Sequence, residues 1–264
     1  MRKIESSKRN DFKNTVAVIL AAGKGKRMKS FLPKVLHQIA GRPIIDYIVS
    51  TCENLKIPRM ILVIGHKKEM VKDFFQQKKQ KGLEFVEQKK LLGTGHAVLQ
   101  TKNLLSNWDG ELLVLCGDVP FLSAKTIRKI LETHRKTKAQ ATVLTAIWDD
   151  PSGYGRVVKN KNGSVEKIVE EKDASPKEKR IKEVNTGTFC FDALSLFPAL
   201  DRIKSENKQK EYYLTDVVEI FRKDNKRVSA LVAKNPWETS GINSLTQLKK
   251  MEALLANKKI DFPY

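Results

Sequence analysis

The feature that most constrains the fold of this 264-residue chain is a regular alternation of short apolar runs with amphipathic stretches. Strand-like runs occupy residues 16–20, 60–64, 83–86, 111–116 and 141–147, and helix-like stretches occupy 44–55, 67–79, 95–105 and 124–136. The first run, Val16-Ala17-Val18-Ile19-Leu20, is continuously apolar and rich in β-branched residues, the pattern of a strand covered on both faces. Strands separated by helices build βαβ units, so the expected class is α/β, with a doubly wound, mostly parallel, Rossmann-like sheet. The pattern changes after Pro151. Strand-like runs at 157–159 and 165–171 flank Asn160-Lys161-Asn162-Gly163, a hairpin turn. A run at 188–191, helices at 192–203, 212–223 and 244–256, and a strand at 228–233 complete the chain. This second half reads as a small substrate-facing β lobe on the same domain.

Ligands of such sheets bind beyond the carboxyl ends of the strands, and glycines cluster there. The first strand runs into Leu20-Ala21-Ala22-Gly23-Lys24-Gly25-Lys26-Arg27-Met28, with Pro33-Lys34 five residues on. A small-residue, glycine-broken turn lets the backbone approach a phosphorylated ligand. Arg27 and Lys34 bring two cations to the same place, which fits a polyphosphate; the alternative is a basic surface turn. Neither a P-loop nor the dinucleotide fingerprint is present, because the second P-loop glycine, its hydroxyl and the third fingerprint glycine are missing.

Three later segments carry chemistry. Leu115-Cys116-Gly117-Asp118 ends a strand on a carboxylate, which either holds Mg²⁺ against substrate phosphates or caps the strand exit. Gln88, followed by Leu92-Gly93-Thr94-Gly95-His96, combines exposed backbone amides with a side-chain amide. Such an amide donates and accepts, which suits the O4 and N3–H edge of uracil. His96 reads as a first-turn helix residue packing locally. Asn243 offers a hard-cation ligand or a cap for the next helix. Gly153-Tyr154-Gly155-Arg156, Ile168-Val169-Glu170-Glu171-Lys172 and Val184-Asn185-Thr186-Gly187 either bind sugar hydroxyls or make ordinary turns. Tyr212-Tyr213-Leu214-Thr215-Asp216 either opens a helix or lines a pocket.

Composition narrows the partners. No apolar run approaches the roughly 18 residues of a membrane helix, and the N-terminus lacks a signal-peptide core. Cys52, Cys116 and Cys190 have no metal-ligand spacing and fit a reducing cytoplasm. The formal charge is +20, from 50 Lys and Arg against 30 Asp and Glu, but the basic residues are spread over helix-like faces. No nucleic-acid module accompanies them, so a solvated basic surface is the preferred reading.

Taken in order, these segments resemble the uridylyltransferase domain of the bacterial bifunctional N-acetylglucosamine-1-phosphate uridylyltransferases. The matching residues are LAAGKGKRM with PKVLH, Gln88 with LGTGHA, GDVP, GYGRV, IVEEKDA, NTG, EYYLTD and GINSLTQL, running from Val16 to Leu248. The resemblance implies a GT-A-like nucleotidyltransferase that makes UDP-N-acetylglucosamine and pyrophosphate from UTP and N-acetylglucosamine 1-phosphate. It implies that Leu20, Ala21, Ala22, Gly23, Gln88, Gly93 and Thr94 hold the nucleotide and that Arg27 and Lys34 contact phosphates. Asp118 and Asn243 would bind Mg²⁺, and Gly155, Glu170, Asn185, Tyr213 and Thr215 would contact the amino sugar. Arg27, Lys34 and Asp118 are the expected catalytic residues. Other sugar 1-phosphates, CTP, or a non-catalytic basic binding protein remain alternatives. The expected division is a flexible extension at 1–14 and a single domain at 15–264, with a nucleotide half near 15–150 and a sugar-facing half near 151–264. Cys116 stands where the family often has Tyr, and Ser240 where it often has an acid. The sequence shows no hexapeptide-repeat tail after Tyr264, so the further expectation is a cytoplasmic monomer without acetyl transfer.

Overall fold

The computed structural model describes residues 12–258, 261 and 263. The strands are β1 (Thr15–Ala21), β2 (Gln38–Ile39), β3 (Arg42–Pro43), β4 (Arg59–Ile64), β5 (Leu83–Glu87), β6 (Glu111–Cys116), β7 (Ala141–Ile147), β8 (Arg156–Lys159), β9 (Val165–Val169), β10 (Glu183–Asp192) and β11 (Val228–Val232). The helices are α1 (Ile44–Asn54), α2 (Lys68–Gln77), α3 (Thr94–Leu99), α4 (Lys102–Leu105), α5 (Ala124–Thr137), α6 (Ala193–Leu200), α7 (Asp216–Lys223) and α8 (Leu245–Ala256).

Among the described residues, nine strands form one sheet in the order β11-β7-β10-β6-β1-β4-β5, with the β8–β9 hairpin attached through β8 to β10. β1 pairs in parallel with β4 and β6, β4 with β5, and β7 with β11. β10 alone runs antiparallel to both its neighbours on this path, β6 and β7. Side chains along β1 alternate between the two faces. Ala17, Ile19 and Ala21 join one core with α1, α2 and α5, while Val16 and Val18 join another with α3, α6 and α7. The continuous apolar run in the sequence is the signature of this double coverage. A third cluster, built on Tyr47, Phe121, Ile242 and Met251, seats α8 against the β2–β3 hairpin.

Local signals set several element ends. The Ser123, Asp192 and Ser244 side chains accept the Thr126, Ser195 and Gln247 amides and start α5, α6 and α8. The hairpin turn forms as expected, with Asn160 Oδ1 accepting the Asn162 and Ser164 amides. Three expectations change. The helix at 95–105 divides into α3 and α4, because the Val98 carbonyl takes both the hydroxyl and the amide of Thr101. The helix expected from Tyr212 begins at Asp216, since the backbone of Tyr212 is committed to Leu92 and Gly95. The strand expected at 188–191 reaches back to Glu183 through an irregularity between Asn185 and Phe189. Residues 1–11 of the expected extension lie outside the described residues. Phe12 is already packed, 3% exposed beneath the guanidinium groups of Arg128 and Arg135.

Candidate active site

The carboxyl ends of β1, β4, β5 and β6 open on a cleft of about 540 Å³ lined by Leu20, Ala22, Gly23, Lys24, Lys26, Lys34, Gln88, Leu91, Gly93, Thr94, Ala97, Cys116, Asp118 and Glu211. The loop after β1 is tied to its neighbours. His66 donates its amide to the Ala22 carbonyl at 3.1 Å, and Gly117 to that of Leu20 at 2.9 Å. Gly25 adopts a left-handed φ of +58°, and a Cβ there would lie 2.7 Å from Lys34 Cβ. That missing side chain lets Lys34 close over the loop. Ala21 is buried beneath the cleft, not on its wall. Arg27 is exposed on the turn Lys26–Met28 and does not line the cleft; Lys24 and Lys26 do. The two-cation expectation is corrected in that respect: of the adjacent exposed cations Lys26 and Arg27, Lys26 is the one beside the cleft.

Lys34 is the centre of the cation chemistry. Its Nζ donates to Asp118 Oδ2 at 2.5 Å and to Asn243 Oδ1 at 2.9 Å, and the Lys34 and Asp118 side chains are only 15% and 16% exposed. Asp118 is therefore half-enclosed and paired, not an open strand-end carboxylate. The backbones that carry both oxygens are tied down: the Ile242 amide bonds to the Asp118 carbonyl at 2.9 Å, and the Asn243 backbone amide to Gln247 Oε1 at 2.8 Å. One carboxylate and one carboxamide oxygen converging on a cation suit Mg²⁺, which combines few protein ligands with phosphate oxygens. Among the described residues no cluster of three acidic, His or Cys side chains forms a self-contained metal site.

The wall around Gln88, expected to read a base, departs from the sequence reading. Gln88 is 4% exposed, and its Nε2 donates to the Gly93 carbonyl and to His96 Nδ1, each at 3.0 Å. A flipped amide would set two carbonyl-type oxygens together, so this orientation is required. Both amide protons are thus held within the protein, and Oε1 is the atom left to a ligand. Burial, and secondarily the charge of Lys90, lowers the His96 pKa, the direction that favours the neutral ring. The helix-start amides are partly spent too: Gly95 N–H donates to the Tyr212 carbonyl at 2.8 Å, and the Thr94 hydroxyl accepts the Leu214 amide at 3.1 Å.

The residues expected to contact the sugar gather in a neighbouring cluster. The Asn185 amide bonds to the Gly155 carbonyl at 2.8 Å, and a Cβ on Gly155 would lie 3.4 Å from the Glu170 carboxyl. Thr215 is 3% exposed and donates to Glu170 Oε1 at 3.0 Å; Tyr213 is 6% exposed and bonds to Gln209 and Asp173. Thr215 and Tyr213 therefore brace acidic side chains from behind. Burial pushes the Glu170 carboxyl up, with Asp173 and Glu211 adding to the rise against the Thr215 hydrogen bond. Burial, followed by Glu170, Glu219 and Asp173, raises Asp216 to about 6. Burial likewise lifts the Tyr213 hydroxyl to about 12. Cys116 joins the two regions. Its thiol lines the cleft and reaches the Gly187 carbonyl at 3.5 Å, and burial pushes it up to about 12.

The profile of the nucleotidyl transferase family matches residues 16–251. The chain is 46% identical over 245 residues to the "Bifunctional protein GlmU" of Bacillus cereus (strain AH187), covering 93% of this chain and 52% of that relative. The protein of the same name from Bacillus anthracis (strain CDC 684 / NRRL 3495) matches with the same figures. The chain thus spans about half the length of the curated relatives it matches. Among solved structures it is similar to UDP-glucose pyrophosphorylase complexed with UDP-glucose, with a TM-score of 0.75 at 18% identity over 92% of this chain and 99% of that one. At that identity the likeness speaks for the fold alone.

Proposed function

The chain belongs to the nucleotidyl transferase family, and on that footing we propose that it transfers the uridylyl group of UTP to N-acetylglucosamine 1-phosphate, giving UDP-N-acetylglucosamine and pyrophosphate. The observation that carries this reading is the meeting of Lys34, Asp118 and Asn243 at a glycine-lined cleft, in a chain 46% identical to "Bifunctional protein GlmU". Leu20, Ala22, Gly23, Gln88, Gly93 and Thr94 form the nucleotide wall. Gln88 Oε1 accepts N3–H of uracil and opposes the bare N3 of cytosine, which favours UTP over CTP.

A sugar-phosphate oxygen attacks the α-phosphorus of UTP, and the bond to the leaving pyrophosphate breaks. The attacking phosphate is already an anion, so alignment and charge neutralisation replace a strong general base. Lys34, assisted by Lys24 and Lys26, receives the phosphates. Arg27 reaches them only by a movement of its turn. Asp118 and Asn243 would hold Mg²⁺, which when bound neutralises phosphate charge. Glu170, Asn185 and Gly155 orient the sugar, with Thr215 and Tyr213 behind them. No described helix is long and apolar enough to cross a membrane, and free Cys52, Cys116 and Cys190 fit a reducing compartment. We place the protein in the cytoplasm as a monomer, which light scattering tests.

Pyrophosphate release, measured with UTP and with CTP against a panel of hexose and N-acetylhexosamine 1-phosphates, tests the reaction. UTP with N-acetylglucosamine 1-phosphate should give the highest rate. Absence of pyrophosphate with every pair would overturn the proposal, and a preference for another sugar would reassign its acceptor.

A further inference from the structure

We propose that Lys34 is a placeholder cation: in the nucleotide-free protein its ammonium occupies the position between Asp118 and Asn243 and keeps divalent metal out until a triphosphate draws it away. This rests on the metal reading above and extends it to the order of events. Three observations carry it. Lys34 Nζ donates to both oxygens at once, at 2.5 and 2.9 Å, so the two groups that would hold the metal already share a monovalent cation. Their backbones are held by bonds that do not involve Lys34, Asp118 by the Ile242 amide and Asn243 by the Gln247 side chain. Lys34 also lines the same cleft as Lys24, Lys26 and Gly23, where the phosphates would enter.

The exchange is balanced in charge and hydrogen bonds. A triphosphate offers Lys34 stronger acceptors inside the cleft, and the side chain leaves one carboxylate for another anion. The divalent ion then enters between Asp118, Asn243 and the phosphates. Without nucleotide, binding the ion would strand the ammonium of a side chain only 15% exposed. The free protein should therefore bind metal weakly. If the pair is free of lysine in one molecule in ten, its apparent affinity is about tenfold below that of an unobstructed pair.

The probe is Mn²⁺, titrated by electron paramagnetic resonance into the full chain without nucleotide and again with UTP. Lys34→Ala and Lys34→Gln, each checked for folding by thermal melting, should bind Mn²⁺ without nucleotide at least about tenfold more tightly than the wild type. The Gln variant keeps a donor toward Asp118 but no charge. Lys26→Ala removes the same charge from the same cleft without touching the pair, so it should leave Mn²⁺ affinity within about twofold, as for a screened cation. Equal affinity in the wild type and both Lys34 variants overturns the placeholder while leaving the metal reading intact. A Lys26→Ala gain equal to that of Lys34→Ala also overturns it, because the effect is then a general field. Failure of every protein to bind Mn²⁺ even with UTP sinks the metal reading and this proposal together.

Discussion

Replacing Gly93 by Ala should damage nucleotide binding and stability together, through one point of backbone contact. Gly93 has φ +107° and ψ 176°, a region that only glycine occupies readily, so an alanine held there carries about 1–3 kcal/mol of strain. Its Cβ would also lie 2.6 Å from the Tyr212 carbonyl oxygen and 2.9 Å from both the Tyr212 nitrogen and Glu211 Cβ. Two of those three atoms are backbone, so the segment before α7 has to retreat. That movement strains the bonds from Tyr212 N–H to Leu92 and from Gly95 N–H to Tyr212, each 2.8 Å and each worth about 1 kcal/mol net. With both bonds lost the sum is roughly 3–5 kcal/mol, a melting decrease on the order of 10 °C in a protein of this size. Because the Gly93 carbonyl also holds Gln88, the KM for UTP should rise with the fall in stability. Calorimetry and initial rates across UTP concentration measure the two effects. A variant that melts with the wild type and keeps its KM would show that the Gly93–Tyr212 junction constrains neither.

Three further outcomes follow from the site. Asp118→Asn leaves the Lys34 ammonium facing neutral oxygens where both side chains are only 15% and 16% exposed, so it should cost roughly 2–3 kcal/mol in urea unfolding, between the values for exposed and fully buried pairs; turnover should drop at least about a hundredfold, the scale of one lost preorganised charge contact. Near-normal rates at low Mg²⁺ would refute its role. Gln88→Glu turns a carboxylate oxygen against the Gly93 carbonyl, so it should cost roughly 1–3 kcal/mol in urea unfolding and raise the KM for UTP about tenfold; unchanged stability would show that the Gly93 bond is not made. Asp216 has its folded pKa raised to about 6, so protonation favours the fold: the stability this group contributes should be fully present below the unfolded carboxylate range and lost as pH rises through about 6. Asp216→Asn should flatten that decline and add about 1 kcal/mol near neutral pH, after allowing for its partial exposure; a steeper decline in urea midpoints would reverse the assignment.

The parallel strands were legible because double coverage leaves a continuous apolar run, as in β1 and β6. β10 was legible only from Thr188, because Glu183, Asn185, Thr186 and Gly187 surround a single apolar residue, Val184, and the strand carries an irregularity between Asn185 and Phe189, so no alternating apolar run marks it. The meeting of Lys34 with Asp118 and Asn243 joins positions 84 and 209 residues apart, so no local pattern contains it. Only the order of motifs along the chain pointed to it. Lys26 and Arg27 are adjacent cations, and which one lies beside the cleft is set by the course of the turn after β1, which composition does not specify. The orientation of the Gln88 amide was hidden for a similar reason, since it is decided by Gly93 and His96 in space.

The antiparallel strand β10 has a consequence for how the molecule can move. It enters from the second half of the chain, pairs with β6 and β7 of the first, and carries Asn185 at one end. A cut near residue 150 would strip β6 and β7 of their common neighbour, so the two halves cannot swing apart on a hinge without tearing the sheet's hydrogen bonds. Opening for substrate and product is therefore local, at the lysine-bearing loop after β1, while the β8–β9 hairpin, whose Val157, Val165 and Ile168 are buried in the second core, stays with the sheet.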